Sequence, residues 1–229
     1  MLHYQAFKGK PRAFFKNEEF RIFSLIILLT SVFFAWNLKI DQSWSDAIRH
    51  GMFQVVSIMT CTGFVSANYD LWPGILKFSL LILMFIGGCA CSTSGGLKVA
   101  RAILTFKIVK RSIVQSISPN AVIPIKFNSK PIADFTIATV LPFFVLFLFL
   151  FFAGGIVLSR MEQCDLATAF SAALTSLSNC GPGLARVGAI ENYAWLSMPS
   201  KWLLTFLMLA GRLELYAVLI LFLPATWRR

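Results

Sequence analysis

The sequence predicts an all-α membrane protein made of two parallel repeats, each a spanning helix, a re-entrant half helix, a glycine-bearing loop and a second spanning helix. Hydrophobic residues make up 57% of the 229-residue chain and charged residues only 14%, and the mean hydropathy is +0.73. These values lie outside the range of soluble domains, and several apolar stretches are long enough to cross a bilayer. A short semi-polar segment that ends at a glycine motif occurs twice, which indicates the repeat.

The basic residues, which give a net charge of +11, are clustered at the ends of the apolar stretches. Five precede Ile22, seven lie between Lys98 and Lys130, and two end the chain. By the positive-inside rule all three clusters are cytoplasmic, so both termini are expected in the cytoplasm. This placement argues against a nucleic-acid interface. The polar, charged N-terminus does not have the form of a cleavable signal peptide.

The spans and the clusters together predict the domain organisation. The candidate spanning segments are residues 22–38, 71–86, 132–158 and 202 to about 224. Residues 1–21 are a cytoplasmic segment, 22–111 the first pore repeat, 112–131 a cytoplasmic linker and 132–229 the second pore repeat. The basic stretch after Lys98 can bind anionic lipid headgroups or an acidic partner, and its position beside a span favours lipid.

Two short glycine motifs are the candidate pore linings. Non-helical chain at membrane depth survives only where protein encloses it or where water and ions fill the space beside it. Cation filters use main-chain carbonyl oxygens in place of the hydration shell, and glycine lets the backbone turn them toward an axis. A lone T-x-T-G is more often a helix cap or turn, but its recurrence favours a filter loop. The predicted cation-binding residues are Thr60, Cys61, Thr62, Gly63, Ser178, Asn179, Cys180 and Gly181.

The segment before each motif is too short to cross the bilayer. Residues 44–59 are only half apolar, and residues 166–177 carry many small side chains. Both suit re-entrant half helices whose carbonyl ends, with partial negative charge, point at the filter and favour a cation. The alternative for residues 44–59 is an amphipathic helix lying in the interface. His50 alone is better interpreted as a surface residue than as a ligand.

The second span is interrupted by a stretch of ten residues without a large side chain, residues 87–96. A phosphate cradle is disfavoured because the Lys-Ser/Thr ending of a P-loop is missing. A packing face of small residues is the ordinary structural alternative. An unwound loop within a broken helix, placed under the filter, is favoured because four glycines weaken a continuous helix by several kcal/mol. The predicted gate residues are Gly87, Gly88, Ser92, Thr93, Ser94, Gly95 and Gly96.

Two charges fall within the last apolar span, Arg212 and Glu214. A charge at the bilayer centre costs at least about 2.5 kcal/mol, so Arg212 is expected to face an aqueous path or a partner. Mutual neutralisation is disfavoured because residues two apart on a helix face different ways. Arg212 therefore joins the gate residues.

The five cysteines, Cys61, Cys89, Cys91, Cys164 and Cys180, predict neither a disulfide framework nor a zinc site, because their number is odd and their spacings match no zinc pattern. The simpler role for Cys89 and Cys91 is to pack as small, uncharged side chains. An intramembrane enzyme is disfavoured: the apolar segments hold no paired acids, no H-E-x-x-H and no Ser/His pair. The sequence predicts no organic cofactor.

Several motifs together resemble the TrkH/KtrB members of the Trk/Ktr/HKT superfamily of potassium transporters, over nearly the whole chain. Each motif is weak alone, but the combination is specific. The motifs are Lys16-Asn17-Glu18-Glu19-Phe20-Arg21, Thr62-Gly63-Phe64 with Leu71-Trp72-Pro73, Gly87-Gly88 through Ser92-Thr93-Ser94-Gly95-Gly96-Leu97-Lys98, Asn179-Cys180-Gly181-Pro182-Gly183-Leu184, and Gly211-Arg212-Leu213-Glu214-Leu215 with Pro224-Ala225 and Trp227-Arg228.

The resemblance implies a bacterial inner-membrane potassium transporter, with channel and symport both open as mechanisms, in which K⁺ is held by the filter residues of four units around one axis. It implies that Gly63 and Gly181 belong to the third and fourth filters, that residues 87–96 form an intramembrane gate, and that Arg212 faces this gate. It also implies a dimer and a cytosolic nucleotide-binding regulatory subunit. Cys61 and Cys180 stand where other small or apolar residues are expected, and Cys89 and Cys91 where Ala, Gly or Ser is expected.

The chain departs from the family in length, because the family has four units in one chain and this sequence has two. Met1 falls where the third unit is expected to begin, so the first two units are expected to be missing. Half a ring of filters would have open sides in lipid. Either a separate N-terminal half or a second copy is then needed for a conducting transporter. The alternative is a non-conducting membrane remnant or an assembly partner of a split transporter.

Overall fold

The computed structural model describes residues 14, 16–39, 43–90, 92, 94–118, 123–213, 215–221 and 227. Thr93, Cys91 and Glu214, which the sequence interpretation uses, lie outside the described residues. The fold is all-α apart from one short β-ladder. Its helices are α1 Glu18–Leu38, α2 Trp44–Met59, α3 Gly74–Ile86, α4 Val99–Ile117, α5 Asp134–Glu162, α6 Leu166–Ser178, α7 Met198–Arg212 and α8 Leu215–Leu221.

The same three-helix arrangement occurs in both halves of the chain. In the first half α2 packs against α1 and α3, and in the second half α6 packs against α5 and α7. The two halves meet where α3 contacts α6. Each half therefore has a central helix that packs against the helices before and after it, as the two-repeat prediction requires.

The first spanning helix begins four residues earlier than predicted, at Glu18 instead of Ile22. The reason is local capping. The side chain of Asn17 accepts a hydrogen bond of 3.0 Å from the backbone N–H of Phe20, and Glu18 and Glu19 occupy the first turn. An asparagine N-cap with acidic residues behind it stabilises a helix start before the apolar run begins.

Two helices of the described chain are long and apolar enough to cross a bilayer, α1 and α5. The second and fourth predicted spans are each divided. The second ends at Ile86 and resumes at Val99, as the broken-helix interpretation predicts. The prediction of one continuous helix from 202 to about 224 is wrong, because α7 begins at Met198, ends at Arg212, and α8 begins only at Leu215.

The two short helices differ in how completely protein surrounds them. Ten of the 13 residues of α6 are buried, and all ten are Ala, Ser, Thr or Leu. Gly155 of α5 makes this possible, since a Cβ there would overlap the ring of Phe170 on α6. In contrast, α2 leaves a stripe of Trp44, Ile48 and Met52 about half exposed, so one face of the first half helix has no neighbour within the described chain.

The segment between the halves is partly ordered in ways that the sequence did not predict. Helix α4 continues to Ile117, and residues Lys126–Phe127 (β1) pair antiparallel with Lys130–Pro131 (β2). This hairpin is tied to the start of α1, because Asn128 Oδ1 accepts a 2.7 Å hydrogen bond from the backbone N–H of Glu18. Glu18 also forms an ion pair with Lys107 of α4.

Candidate functional site

The first candidate filter begins where α2 ends. Thr60 is the last residue in helical conformation, and Cys61 turns the chain with a φ of 54°. The backbone N–H of Cys61 then donates to Ile58 O at 3.0 Å, and that of Thr62 donates to Ser57 O at 2.8 Å. The half helix therefore closes with a left-handed residue, and the chain beyond it leaves the helix axis.

The second candidate filter has the same backbone at positions 118 residues later. Asn179 has a φ of 56°, and its N–H donates to Ser176 O at 3.1 Å. The N–H of Cys180 donates to Thr175 O at 3.0 Å. Asn179 thus corresponds to Cys61 and Cys180 to Thr62, so the repeat predicted from sequence extends to individual hydrogen bonds.

The two candidate filters lie against each other at their glycines. Gly63 has a φ of +80°, and a Cβ built on it would lie under 3.0 Å from the carbonyl oxygen of Cys180. Any other residue would be both strained and blocked by backbone at this position. Gly181 has a φ of +104°, but its nearest neighbour would be Gly63 Cα at 3.8 Å. The positive φ favours glycine at both positions. A steric clash with neighbouring backbone excludes a side chain only at Gly63.

The main-chain oxygens of the filters are mostly without hydrogen bonds. Within the described chain no donor forms a hydrogen bond with the carbonyl oxygens of residues 60–63 or 178–180. In contrast, Gly181 O accepts a hydrogen bond of 2.9 Å from the phenol of Tyr193. Buried carbonyl groups in proteins are nearly always paired. The described residues include no cluster of three or more His, Cys, Asp or Glu side chains that could hold a metal ion. Oxygen coordination by backbone is the chemistry this site offers.

Hydroxyl groups support the filter backbone from the side. Ser57 Oγ donates to the carbonyl of Phe64 at 2.6 Å, and Thr60 Oγ1 and Thr62 Oγ1 are 2.7 Å apart. In the second segment the hydroxyl of Ser171 accepts 3.0 Å from Leu184 N–H. Small hydroxyl side chains thus fix the loop that follows each half helix.

A contact between the loops that follow the filters was not foreseen from the sequence. The carboxylate of Asp70 accepts hydrogen bonds of 3.0 Å from Ala185 N–H and 3.1 Å from Ala189 N–H. A Cβ on Gly188 would collide with this carboxylate. The one available signal was an acidic residue at the end of a polar turn between two apolar segments.

The candidate gate is an unwound segment between α3 and α4. Its entry and exit are held together, since Leu97 N–H donates to Phe85 O at 3.1 Å and Val99 N–H donates to Gly88 O at 3.0 Å. Within the loop Ser94 Oγ accepts a hydrogen bond of 3.1 Å from the backbone N–H of Gly88 and lies 2.6 Å from Ser92 Oγ. The segment is therefore a closed loop with its own hydrogen bonds, as opposed to a helix face of small residues.

The candidate gate lies directly against the second candidate filter. A Cβ on Gly95 would lie under 3.0 Å from Ser178 O and 3.1 Å from the Asn179 amide nitrogen. Asn179 Nδ2 in turn donates to Met208 O of α7 at 3.1 Å. Gly211 packs against the carbonyl of Leu177 on the same side. The predicted gate and the predicted filter thus share one contact surface.

Arg212 ends α7 immediately after that contact and is exposed. It lies within electrostatic range of Cys61 in the first filter. The opposite end of the gate loop is held from α1, where the Glu19 carboxylate accepts a hydrogen bond from Ala90 N–H. The structure brings together the predicted filter and gate residues that it describes, and Thr93 lies outside the described residues.

Comparison with known proteins identifies relatives of this chain. Residues 14–228 match the family model TrkH, described as a cation transport protein. The chain is 37% identical over 235 residues to the "Trk system potassium uptake protein TrkH" of Halomonas elongata. The alignment covers 100% of this chain and 47% of that protein. It is 30% identical to TrkG of Escherichia coli over 93% of this chain and 44% of that protein.

A solved structure shares the fold. The crystal structure of the potassium transporter TrkH from Vibrio parahaemolyticus has a TM-score of 0.89 and 34% sequence identity, and the match covers 99% of this chain and 49% of that chain. The chain therefore spans about half the length of the relatives it matches. With the family model extending over nearly all of its residues, the chain belongs to the TrkH family of cation transport proteins.

Proposed function

We propose that this chain is a subunit of a potassium uptake transporter and supplies two of its filter segments. The observation that carries the proposal is the pair of matching backbones after α2 and α6, in which the carbonyl oxygens of residues 60–63 and 178–180 receive no hydrogen bond in the described chain. The relatives are named potassium uptake proteins. Carbonyl oxygens that have no donor can replace the water around a dehydrated K⁺ ion.

The half helices add a favourable electrostatic contribution. Both α2 and α6 end at their filter, at Met59 and Ser178. A helix C-terminus carries roughly half a negative charge, so two such ends directed at one site attract a cation. Entry from the outside would be driven by the membrane potential, which contributes roughly 2.3 kcal/mol per unit charge per 100 mV.

The loop of residues 87–96 is the proposed gate. Gly95 lies against Ser178 O, so the loop sits next to the exit from the second filter. Its internal hydrogen bonds, such as that from Gly88 N–H to Ser94 Oγ, hold it in this position. Arg212 ends the helix on the same side, and its positive charge would oppose a cation until the loop moves.

Two further filters would complete the ring. The half-exposed stripe of Trp44, Ile48 and Met52 on α2 is the face where another unit would pack. The chain spans about half the length of its relatives, and in this proposal two further units of the same kind occupy the rest of the ring. In this proposal residues 22–111 and 132–229 are the two pore units, both termini are cytoplasmic, and the complete transporter is a homodimer regulated by a cytosolic nucleotide-binding subunit.

Potassium uptake in deficient cells tests the function. The chain is expressed alone, together with any reading frame directly upstream, and as a tandem fusion of two copies. Growth at low potassium and uptake of rubidium are measured, with a Gly63→Ser chain as the matched control. Restored potassium uptake in any of the three arms supports the proposal. The arm that restores uptake identifies the source of the other filters. No uptake in any arm, with normal membrane insertion, supports the non-conducting assembly partner or remnant.

A further inference from the structure

Two cysteine thiols meet between the two filters. The sulfur atoms of Cys61 and Cys180 are 3.2 Å apart, although the residues are separated by 119 positions. The thiol of Cys180 also lies 3.5 Å from the carbonyl oxygen of Ile58, in the last turn of α2. Both cysteines are free in the structure. This pair of side chains therefore connects the first repeat to the second beside the candidate filters.

The repeat does not explain this pairing. With the 118-residue offset between the repeats, Cys61 corresponds to Asn179 and Thr62 corresponds to Cys180. The two cysteines therefore do not occupy equivalent positions of the repeat. Their backbones are nevertheless fixed, because the N–H of Cys61 donates to Ile58 O and the N–H of Cys180 to Thr175 O. Thiols held in contact by two separately anchored loops are positioned to react with each other.

We propose that Cys61 and Cys180 are a dithiol modification site that hydroperoxides oxidise to a disulfide joining the two filters. Cys61 is the first to react, because its side chain is partly accessible whereas Cys180 is 2% exposed. The disulfide bond length is about 2.05 Å, so the sulfur atoms need to approach by roughly 1 Å. No large rearrangement of either half helix is needed for that approach.

The chemistry balances with hydrogen peroxide as the oxidant. The Cys61 thiolate attacks one peroxide oxygen, so an S–O bond forms, the O–O bond breaks and hydroxide leaves. The Cys180 thiolate then attacks the Cys61 sulfur, so the S–S bond forms and the S–O bond breaks, with release of a second hydroxide. The two hydroxides take up the two thiol protons. Both sulfurs are oxidised, and one peroxide becomes two waters.

The disulfide would affect the proposed ion path because it lies next to the contact between Cys180 and Gly63. The carbonyl oxygen of Cys180 is packed against Gly63, so a shift of the Cys180 backbone moves the closest contact between the filters. Cys61 precedes Thr62 and Gly63 in the first filter. Oxidation is therefore expected to lower potassium uptake reversibly, a consequence that rests on the proposed function.

Peptide mapping tests the bond itself. The protein is purified with Cys89, Cys91 and Cys164 changed to Ser, since Cys164 lies on the same tryptic peptide as Cys180. After peroxide treatment, tryptic peptides 50–77 and 161–186 should be joined in the absence of reductant and should separate with dithiothreitol. Matched Cys61→Ser and Cys180→Ser chains should give no joined peptide. Peptides that remain separate while Cys61 becomes oxidised to sulfenic acid or beyond would overturn the proposal.

Uptake with and without peroxide tests the consequence. The ratio of uptake after and before oxidation should fall strongly in the assembled transporter and recover with dithiothreitol, whereas the Cys61→Ser chain, which lacks the thiol that reacts first, should keep a ratio near one. A Cys164→Ser chain should behave like the parent. A joined peptide with an unchanged ratio would overturn the effect on the ion path. If the reduced parent takes up no potassium, the proposed function fails, and the peptide map still decides whether the dithiol site exists.

Discussion

The phenol of Tyr69 donates a buried hydrogen bond of 2.7 Å to the carbonyl oxygen of Gly183. Tyr69 follows the first candidate filter and Gly183 follows the second, so this bond fixes one candidate filter relative to the other. Burial raises the pKa of the Tyr69 phenol, which keeps the group protonated as a donor. Asp70 adds two hydrogen bonds to the same loop. The spacing of the filters therefore depends on contacts outside the filters themselves.

Changing Tyr69→Phe should weaken both stability and selectivity. The carbonyl of Gly183 is left without its donor in a buried site, which costs about 1–3 kcal/mol. The assembled transporter should unfold at a lower temperature and should discriminate K⁺ from Na⁺ less well. Tyr216→Phe is the matched control, since its hydroxyl donates 2.8 Å to Thr139 O, between α8 and α5 and away from the filters. Equal selectivity in both variants would remove Tyr69 from this role.

The filter glycines should differ in their tolerance of serine. Gly63→Ser and Gly181→Ser both place a side chain on a left-handed backbone, at a cost of about 1–3 kcal/mol each. Only at Gly63 does the new Cβ also meet a backbone oxygen. We expect both variants to admit Na⁺ and Gly63→Ser to be the more severe.

Flux assays with K⁺ and Na⁺ in proteoliposomes containing the assembled transporter check this expectation. Gly74→Ser is the control, because a Cβ at Gly74 meets nothing within 4 Å. An unchanged K⁺/Na⁺ ratio in well-folded Gly63→Ser and Gly181→Ser proteins would count against the assignment of the filter.

Removal of the loop between Gly88 and Gly95 should raise flux if the loop obstructs the ion path. A milder change, Ser94→Ala, removes the acceptor for Gly88 N–H and loosens the loop while it keeps the chain length. It should raise flux by a smaller factor. Ser79→Ala is the matched control, since that hydroxyl only donates to Ile75 O on the exposed side of α3. Lower flux in a normally folded deletion would refute the gate.

The N-cap of α6 predicts a pH dependence of stability. The hydroxyl of Thr168 donates to the Asp165 carboxylate, and this hydrogen bond is the main cause that holds the pKa of Asp165 below its ordinary value of 3.8. A depressed folded-state pKa means that the stabilisation is fully present above pH 3.8 and is lost as pH falls through the folded value.

Thermal unfolding between neutral pH and pH 3 measures this effect. Asp165→Asn keeps an N-cap acceptor but does not titrate, so its unfolding temperature should fall less steeply below pH 4 than that of the parent. Parallel curves for the two proteins would show that Asp165 makes no contribution to the acid sensitivity.

Local pattern was enough to predict the elements that build the candidate site. The half helix at 44–59 has the predicted ends, and the break between Ile86 and Val99 falls at the predicted glycine run. Each of these depends on residue type within a few positions: an N-cap, a short apolar period, or glycines that weaken a helix. The end of α7 at Arg212 was missed because average hydropathy does not register a local backbone break.

Composition and short-range spacing were sufficient to predict the class of protein, the two repeats, and the positions of the two candidate filter motifs and the unwound loop. Which groups lie in contact is known only from the three-dimensional fold: Tyr69 with Gly183, Gly95 with Ser178, and Cys61 with Cys180. The partners in these contacts are 83 to 119 residues apart in the sequence. Their meeting depends on how α3 packs on α6, and no local pattern in a single sequence encodes that packing.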